Sequence, residues 1–169
     1  MKTETFDSIA AANKNPASAA TLLAAVAGHP FLRGLSSHHL ELLATCAMES
    51  HFEAGDLIFS EGDPANRFYL LKSGKVVLLC DGEGEPTVIQ TLGPGDVLGW
   101  SWLFPPFYWH FDARAEQRTD AIFFYGTRLR ELCEEDHDLG YELMNRTARV
   151  VIKRLMAARQ HLAGKHPAS

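Results

Sequence analysis

Between residues 48 and 124, short apolar runs alternate with glycine-bearing turns, and no other feature limits the fold of this chain as much. The turns read Ala54-Gly55-Asp56, Glu61-Gly62-Asp63-Pro64, Ser73-Gly74-Lys75, Asp81-Gly82-Glu83-Gly84 and Leu92-Gly93-Pro94-Gly95-Asp96. Between them stand Leu57-Ile58-Phe59, Phe68-Tyr69-Leu70-Leu71, Val76-Val77-Leu78-Leu79 and Val88-Ile89-Gln90-Thr91. Runs this short, parted by residues that tolerate positive φ, predict antiparallel strands of a sandwich or barrel. Residues 111–115 and 121–125 supply the last strands. The spacing leaves no room for crossover helices, so a βαβ sheet is excluded and a jelly-roll-like β core is expected.

Helical patterns flank this core. Residues 1–20 are weakly patterned and read as a loosely docked lead-in, followed by a short helix over 21–27. Phe31-Leu32-Arg33-Gly34-Leu35 reads as a turn; Ser36 or Ser37 then caps a helix with Leu40, Leu43 and Ala44 on one face. Beyond Gly126 a short helix covers 127–134, and Asp136 caps a long one that runs to about Leu162. The chain thus divides into a lead-in (1–28), a β-roll with short flanking helices (29–135), and a long helix with its tail (136–169). On that helix Met144, Ala148, Val151, Leu155, Ala158 and Leu162 recur at steps of 4 and 3, an a/d seam. Two readings stand: the seam packs on the β core, or it pairs with a second copy or another protein. The narrowness of the stripe favours pairing, so a homodimer or a protein partner is expected.

Composition narrows the function. With 169 residues and 46% hydrophobic side chains, the chain can bury a core as a single domain. A net charge of −5 argues against a broadly basic nucleic-acid-binding surface. No stretch approaches the roughly 18–20 apolar residues of a membrane span, and Glu4 and Asp7 sit where a signal peptide would be apolar. A cytoplasmic location follows as the expectation. Cys46, Cys80 and Cys133 stand singly, which suggests buried or half-buried thiols rather than a disulfide framework or a metal cluster.

The order of helix, glycine-punctuated strands, short helix and long helix resembles the cyclic nucleotide-binding domain family. This is the sensor module of catabolite activator proteins and of protein kinase A regulatory subunits. The residues that carry the resemblance read Phe52-x-x-Gly55-Asp56-x-Ile58-Phe59-x-Glu61-Gly62-Asp63-Pro64-Ala65, then Phe68-Tyr69-Leu70-Leu71-x-Ser73-Gly74-x-Val76. Gly82 and Leu92-Gly93-x-Gly95-Asp96-x-Leu98-Gly99 complete them. The resemblance implies a ligand cassette after the last of these turns. There, backbone N–H groups of a short helix face the cyclic phosphate, a Glu accepts the ribose hydroxyl, and an Arg some ten residues later neutralises the phosphate.

In this chain the cassette runs from Leu98 and Gly99 to Ala115, and the Glu position is Trp100. Counting back from Ala115 and Leu129, which keep the family's spacing, puts the Arg position at Trp109. Losing a sheltered charge pair costs roughly 2–5 kcal/mol, and losing the ribose acceptor about 1–3 more. At 1.4 kcal/mol per tenfold, a micromolar ligand would weaken by several powers of ten. Tight cAMP or cGMP binding in the usual manner is therefore not expected, while a nucleotide other than cAMP stays open. Seven of the seventeen aromatic residues, including all three tryptophans, fall between Trp100 and Phe111. They either fill an abandoned pocket or line one for a flat ligand. The candidate pocket residues are Leu98, Gly99, Trp100, Ser101, Trp109, His110 and Arg114, with Arg114 expected to pair with Asp112 or meet solvent unless the strand slips in register.

No nucleophile elbow, Walker loop or Rossmann fingerprint appears, and the eight histidines lack ligand spacing, so neither catalysis nor a metal is expected. Glu134, Glu135 and Asp136 suit a helix N-terminus. Arg146, Arg149 and Lys153 share a helix face that is either solvated or a dock for an acidic partner. Only residues 163–169 follow the long helix, too few for a recognition-helix pair, so direct DNA reading is not expected. The leading expectation is a non-catalytic regulatory module; the alternative is an accessory subunit of a larger assembly. In size and layout the chain looks similar to the small subunit attached to NAD-reducing soluble hydrogenases.

Overall fold

The structure, a computed structural model, describes residues 16–164. Helix α1 (Pro16–Gly28) leads through a 3-10 turn (Pro30–Leu32) to α2 (Ser37–Cys46). Eight strands follow: β1 (Met48–Phe52), β2 (Leu57–Phe59), β3 (Arg67–Ser73), β4 (Val76–Cys80), β5 (Thr87–Leu92), β6 (Val97–Leu98), β7 (Asp112–Ala115) and β8 (Thr119–Tyr125). A 3-10 helix (Trp100–Leu103) separates β6 from β7, and α3 (Gly126–Glu135) and α4 (His137–Gly164) close the chain. The strands form two antiparallel four-stranded sheets, ordered β1-β8-β3-β6 and β2-β7-β4-β5. The expected β-roll with flanking helices is thus the fold.

Two of its turns show why the glycine-aspartate pairs recur. In Glu53-Ala54-Gly55-Asp56 and in Gly93-Pro94-Gly95-Asp96 the third residue has φ of 95° and 88°. Such values at that turn position suit glycine. Each Asp carboxylate then accepts from the backbone N–H three residues back, at 2.8 Å to Glu53 and 2.9 Å to Gly93. Local chemistry alone reverses the chain.

Apolar side chains separate into two cores. Phe59, Tyr69, Leu71, Val76, Leu78, Trp109 and Phe123 lie between the sheets. Phe68, Leu70, Ile122 and Phe124 project from the other face of the first sheet, toward Leu22, Val26, Leu43, Leu129, Leu139 and Leu143 of the helices. The first sheet is therefore buried on both faces, and β3 reads as an unbroken apolar run. Each fully buried Leu or Phe contributes about 1.5–3 kcal/mol by leaving water.

The first helix starts earlier than expected, and the long one shows which of its faces meets the body. Helix α1 begins at Pro16, not at residue 21, because proline fits a first turn and the alanines after it favour helix. The part of the lead-in over 1–15 lies outside the described residues. On α4 the stripe facing the body is Leu139, Leu143 and Thr147, with Val150 half-buried beside it. The seam residues Met144, Ala148, Leu155, Ala158 and Leu162 are exposed and Val151 is half-buried. Asp136 caps α4 as expected, accepting from the Leu139 N–H at 3.1 Å, and His39 of α2 meets its other oxygen at 3.1 Å.

Cys46 and Cys133 are half-buried, and burial raises both thiols to about 11; Cys80, contrary to expectation, is exposed. No described helix is long and apolar enough to cross a membrane.

Candidate functional site

The cassette begins where β6 ends. Gly99, at φ 91°, precedes the 3-10 helix and carries the chain around the end of the first sheet. A Cβ on Gly99 would stand 2.8 Å from Trp109 Cη2 and 3.0 Å from the Arg67 carbonyl oxygen. The Trp109 ring therefore lies directly on the Gly99 backbone.

Trp109 is held there by main chain and by stacking. Its N–H donates to Asp63 O and its carbonyl accepts from Gly62 N–H, both at 2.9 Å. The Ala65 N–H donates to Phe107 O at 2.6 Å, so the segment before β7 runs alongside residues 62–65. Its indole stacks on Phe59 at 3.9 Å and 10°. The ring is 4% exposed and belongs to the core between the sheets.

The other two tryptophans go elsewhere. Trp102 is fully buried on the helix side, 5.7 Å from Phe68, with its Nε1 unpartnered. Its carbonyl accepts from Arg130 Nη1 at 2.5 Å, and the Arg130 guanidinium lies 4.3 Å from the Phe107 ring. Trp100 is half-buried, stacked on His110 at 5.9 Å and edge-on to Phe104 at 6.1 Å. Leu98 and Ser101 are buried, while His110 is exposed. Of the three indoles, two thus fill cores and the third borders a groove.

Arg114 does not join the site. On β7 the residues Ala113 and Ala115 point inward, so Arg114 is on the outer face and exposed. Its expected partner Asp112 instead accepts from the Glu61 N–H at 2.7 Å. The strand keeps its register, opposite β4 from Val76↔Ala115 to Leu79↔Asp112. The basic face of α4 is broken too: Arg146 donates to the carbonyls of Phe31 and Arg33 at 2.8 and 2.9 Å and pairs with Glu142. Arg149 and Lys153 are exposed.

The groove beside Trp100 measures about 650 Å³ and lies between β5 and the second half of α4. Four seam residues, Val151, Leu155, Ala158 and Leu162, form its helix wall, while Ile89, Trp100 and Phe111 form the other. Sequence reasoning missed Arg154, which lines the same groove. Its Nη2 donates to the Val97 carbonyl, its Nη1 is buried without a partner, and it makes no ion pair among the described residues. Burial lowers its pKa to about 10, against the opposing charge of Asp96. The available signal was its place beside seam residue Leu155, one step toward the body.

Two antiparallel sheets, a one-turn cassette between them and a long following helix define a class of β-roll domains. The model of the Cyclic nucleotide-binding domain family matches residues 49–136, more than half of the chain, and the chain belongs to that family. A cAMP-dependent protein kinase regulatory subunit of Emericella nidulans is 34% identical over 70 residues, which cover 41% of this chain and 16% of that protein. A CRP-like cAMP-activated global transcriptional regulator of Mycobacterium tuberculosis is 26% identical over 113 residues, 66% of this chain and 49% of the relative. The chain thus spans about a sixth of the first relative and about half of the second. Among solved structures, a cyclic nucleotide-binding protein from Geobacter metallireducens GS-15 is 32% identical with a TM-score of 0.67, covering 74% of this chain and 91% of that one. A cyclic nucleotide-binding domain from Methylobacillus flagellatus KT superposes at a TM-score of 0.78 over 93% and 96% of the two chains; at 15% identity it shows the fold alone.

Proposed function

We propose that this protein is a non-catalytic regulatory sensor that does not hold cAMP or cGMP in the family's usual manner and acts through α4. The observation that carries the reading is the buried Trp109 ring, stacked on Phe59 and set against Gly99. By spacing, Trp109 takes the position of the family's phosphate-binding Arg, and an indole offers a cyclic phosphate no positive charge. The exposed Met144, Ile152, Leu155, Met156 and Leu162 on α4 suit pairing with a second copy. Arg130 supports a route from cassette to helix, since it belongs to α3 and grips the Trp102 carbonyl. A ligand moves this lever only if it binds the two arrangements with different affinity.

The same apolar row favours a second reading, in which the chain is an accessory subunit seated on another protein, as in a soluble hydrogenase complex. Thermal shifts with cAMP, cGMP, NAD(P)H and flavin nucleotides, together with the mass in solution, separate these readings. The sensor reading expects no shift with cAMP or cGMP and a dimer mass. A cAMP complex gripped near Gly99 by any cation overturns it, and a monomer that co-purifies with fixed partner chains favours the subunit.

A further inference from the structure

The outermost strands of a sheet carry unpaired backbone groups, and proteins shorten, bulge or cover such edges. Here the outer strands are β1 and β6 in the first sheet and β2 and β5 in the second. Strand β6 has two residues, and β2 has three with a slip in register between Leu57 and Phe59. Strand β5 carries a bulge: Val88 and Gln90 face Leu79 and Leu78, and Ile89 between them faces no residue of β4. Among these described edges only β1 lacks such a device. Its five residues, Met48 to Phe52, run in unbroken register with β8.

Strand β8 decides which groups of β1 are free. The Asp120 N–H donates to Ser73 Oγ at 3.3 Å, so it points toward β3 and away from β1. In an antiparallel ladder, pairs that exchange backbone bonds alternate with pairs that do not. His51 opposite Asp120 is therefore of the second kind, and so is Glu49 opposite Ile122. The N–H and C=O of Glu49 and His51 thus face outward, and among the described residues they have no backbone partner. Both side chains are exposed on one face, where Lys72 Nζ stands 3.4 Å from Glu49 and Asp120 stands 2.7 Å from His51 Nδ1. Met48 and Phe52 rest on the core between the sheets.

Read in either direction, β1 has an apolar residue at each end and an acid and a base flanking a serine. We propose that β1 pairs antiparallel with β1 of a second copy, about a two-fold axis at Ser50. This register puts Glu49 opposite the other copy's His51 on both sides of the axis, and each such pair exchanges its outward backbone bonds. A carboxylate then lies beside an imidazole on one face, and Met48 meets Phe52 on the other. Registers centred on Glu49 or His51 also match the free backbone groups, but they set like side chains opposite each other. A slip of one residue matches none of those groups. The surface is isologous, as a two-fold pair requires. It lies apart from α4, so the inference goes beyond the sensor reading and does not rest on it.

Cross-linking reads the register. Across the axis Ser50 faces its own copy in a pair without backbone bonds, with Cα atoms about 4.5 Å apart and within disulfide reach. Glu53 lies three residues from the axis, so its two copies stand roughly 20 Å apart. In the full chain, with the exposed Cys80 changed to Ser, Ser50→Cys should link under mild oxidation at least tenfold faster than Glu53→Cys. Equal rates overturn the proposal. Sedimentation then reads the mass in a Leu155→Asp background, which removes pairing through the seam at a side chain 64% exposed. Five residues a side make a weak interface, so this chain should pass from monomer to dimer only as concentration rises. Glu49→Lys should weaken that dimer at least tenfold, because it sets two bases opposite each other. Mixing Glu49→Lys with His51→Glu should restore it, since every pair is again acid against base, a rescue that misfolded chains would not give. A monomer at every concentration, a dimer indifferent to Glu49→Lys, or no rescue on mixing overturns the proposal.

Discussion

Trp109 and Trp100 stand nine residues apart in one cassette and meet opposite surroundings. Trp109 is pressed between Phe59 and Gly99 in the core, whereas Trp100 borders a groove whose far wall is α4. The first is a packing element whose loss the fold must feel. The second is a wall whose loss the fold can tolerate. An aromatic-rich stretch thus stabilises on one side and leaves surface for recognition on the other, according to which way the backbone turns each ring.

The contrast breaks most directly by truncation. Trp109→Ala should cost about 3–5 kcal/mol in urea unfolding, the range for a large buried aromatic, while Trp100→Ala should cost less than about 1.5 kcal/mol. Equal losses would erase the distinction. Gly99→Ala comes next, at about 2 kcal/mol, because the side chain meets positive φ and the Trp109 ring together. Combining it with Trp109→Ala sharpens the point: the contact is relieved but the φ is not, so the two losses should sum to more than the double variant shows. Arg130→Met should cost about 1 kcal/mol by freeing the Trp102 carbonyl.

The smallest effect is one of pH. His29 is buried, accepts from the Phe31 N–H at Nδ1 and donates from Nε2 to the Leu71 carbonyl at 3.1 Å. Burial lowers its pKa below 6.5, so the unfolded chain takes up its proton first as pH falls. Stability is full above about pH 6.5 and declines as pH falls from there through the lowered folded value. His29→Gln should flatten that part of the pH profile; an unchanged slope would assign the decline to other groups.

Much of the architecture could be read from residues, and the exceptions have particular causes. The β2 run Leu57-Ile58-Phe59 matches its strand residue for residue, since the turns that flank it are local. Strand β1 (Met48–Phe52) was hidden because Glu49, Ser50 and His51 look polar until β8 pairs with them. Strand β6 is only two residues long, and its hydrogen bonds to β3 define it. Arg114 was a reasonable candidate by proximity, but the intact β7 register turns it outward.

By itself the sequence determined the turns, a cap at Ser36 or Ser37, the cap at Asp136 and the succession of strands, each set by near neighbours, and the order of these elements carried the identity of the fold. Which face of α4 stays exposed, which tryptophan is buried, and that Arg154 meets Val97 across 57 positions were decided only by tertiary structure. Side-chain burial depends on what arrives from distant parts of the chain, and no local pattern encodes that arrival.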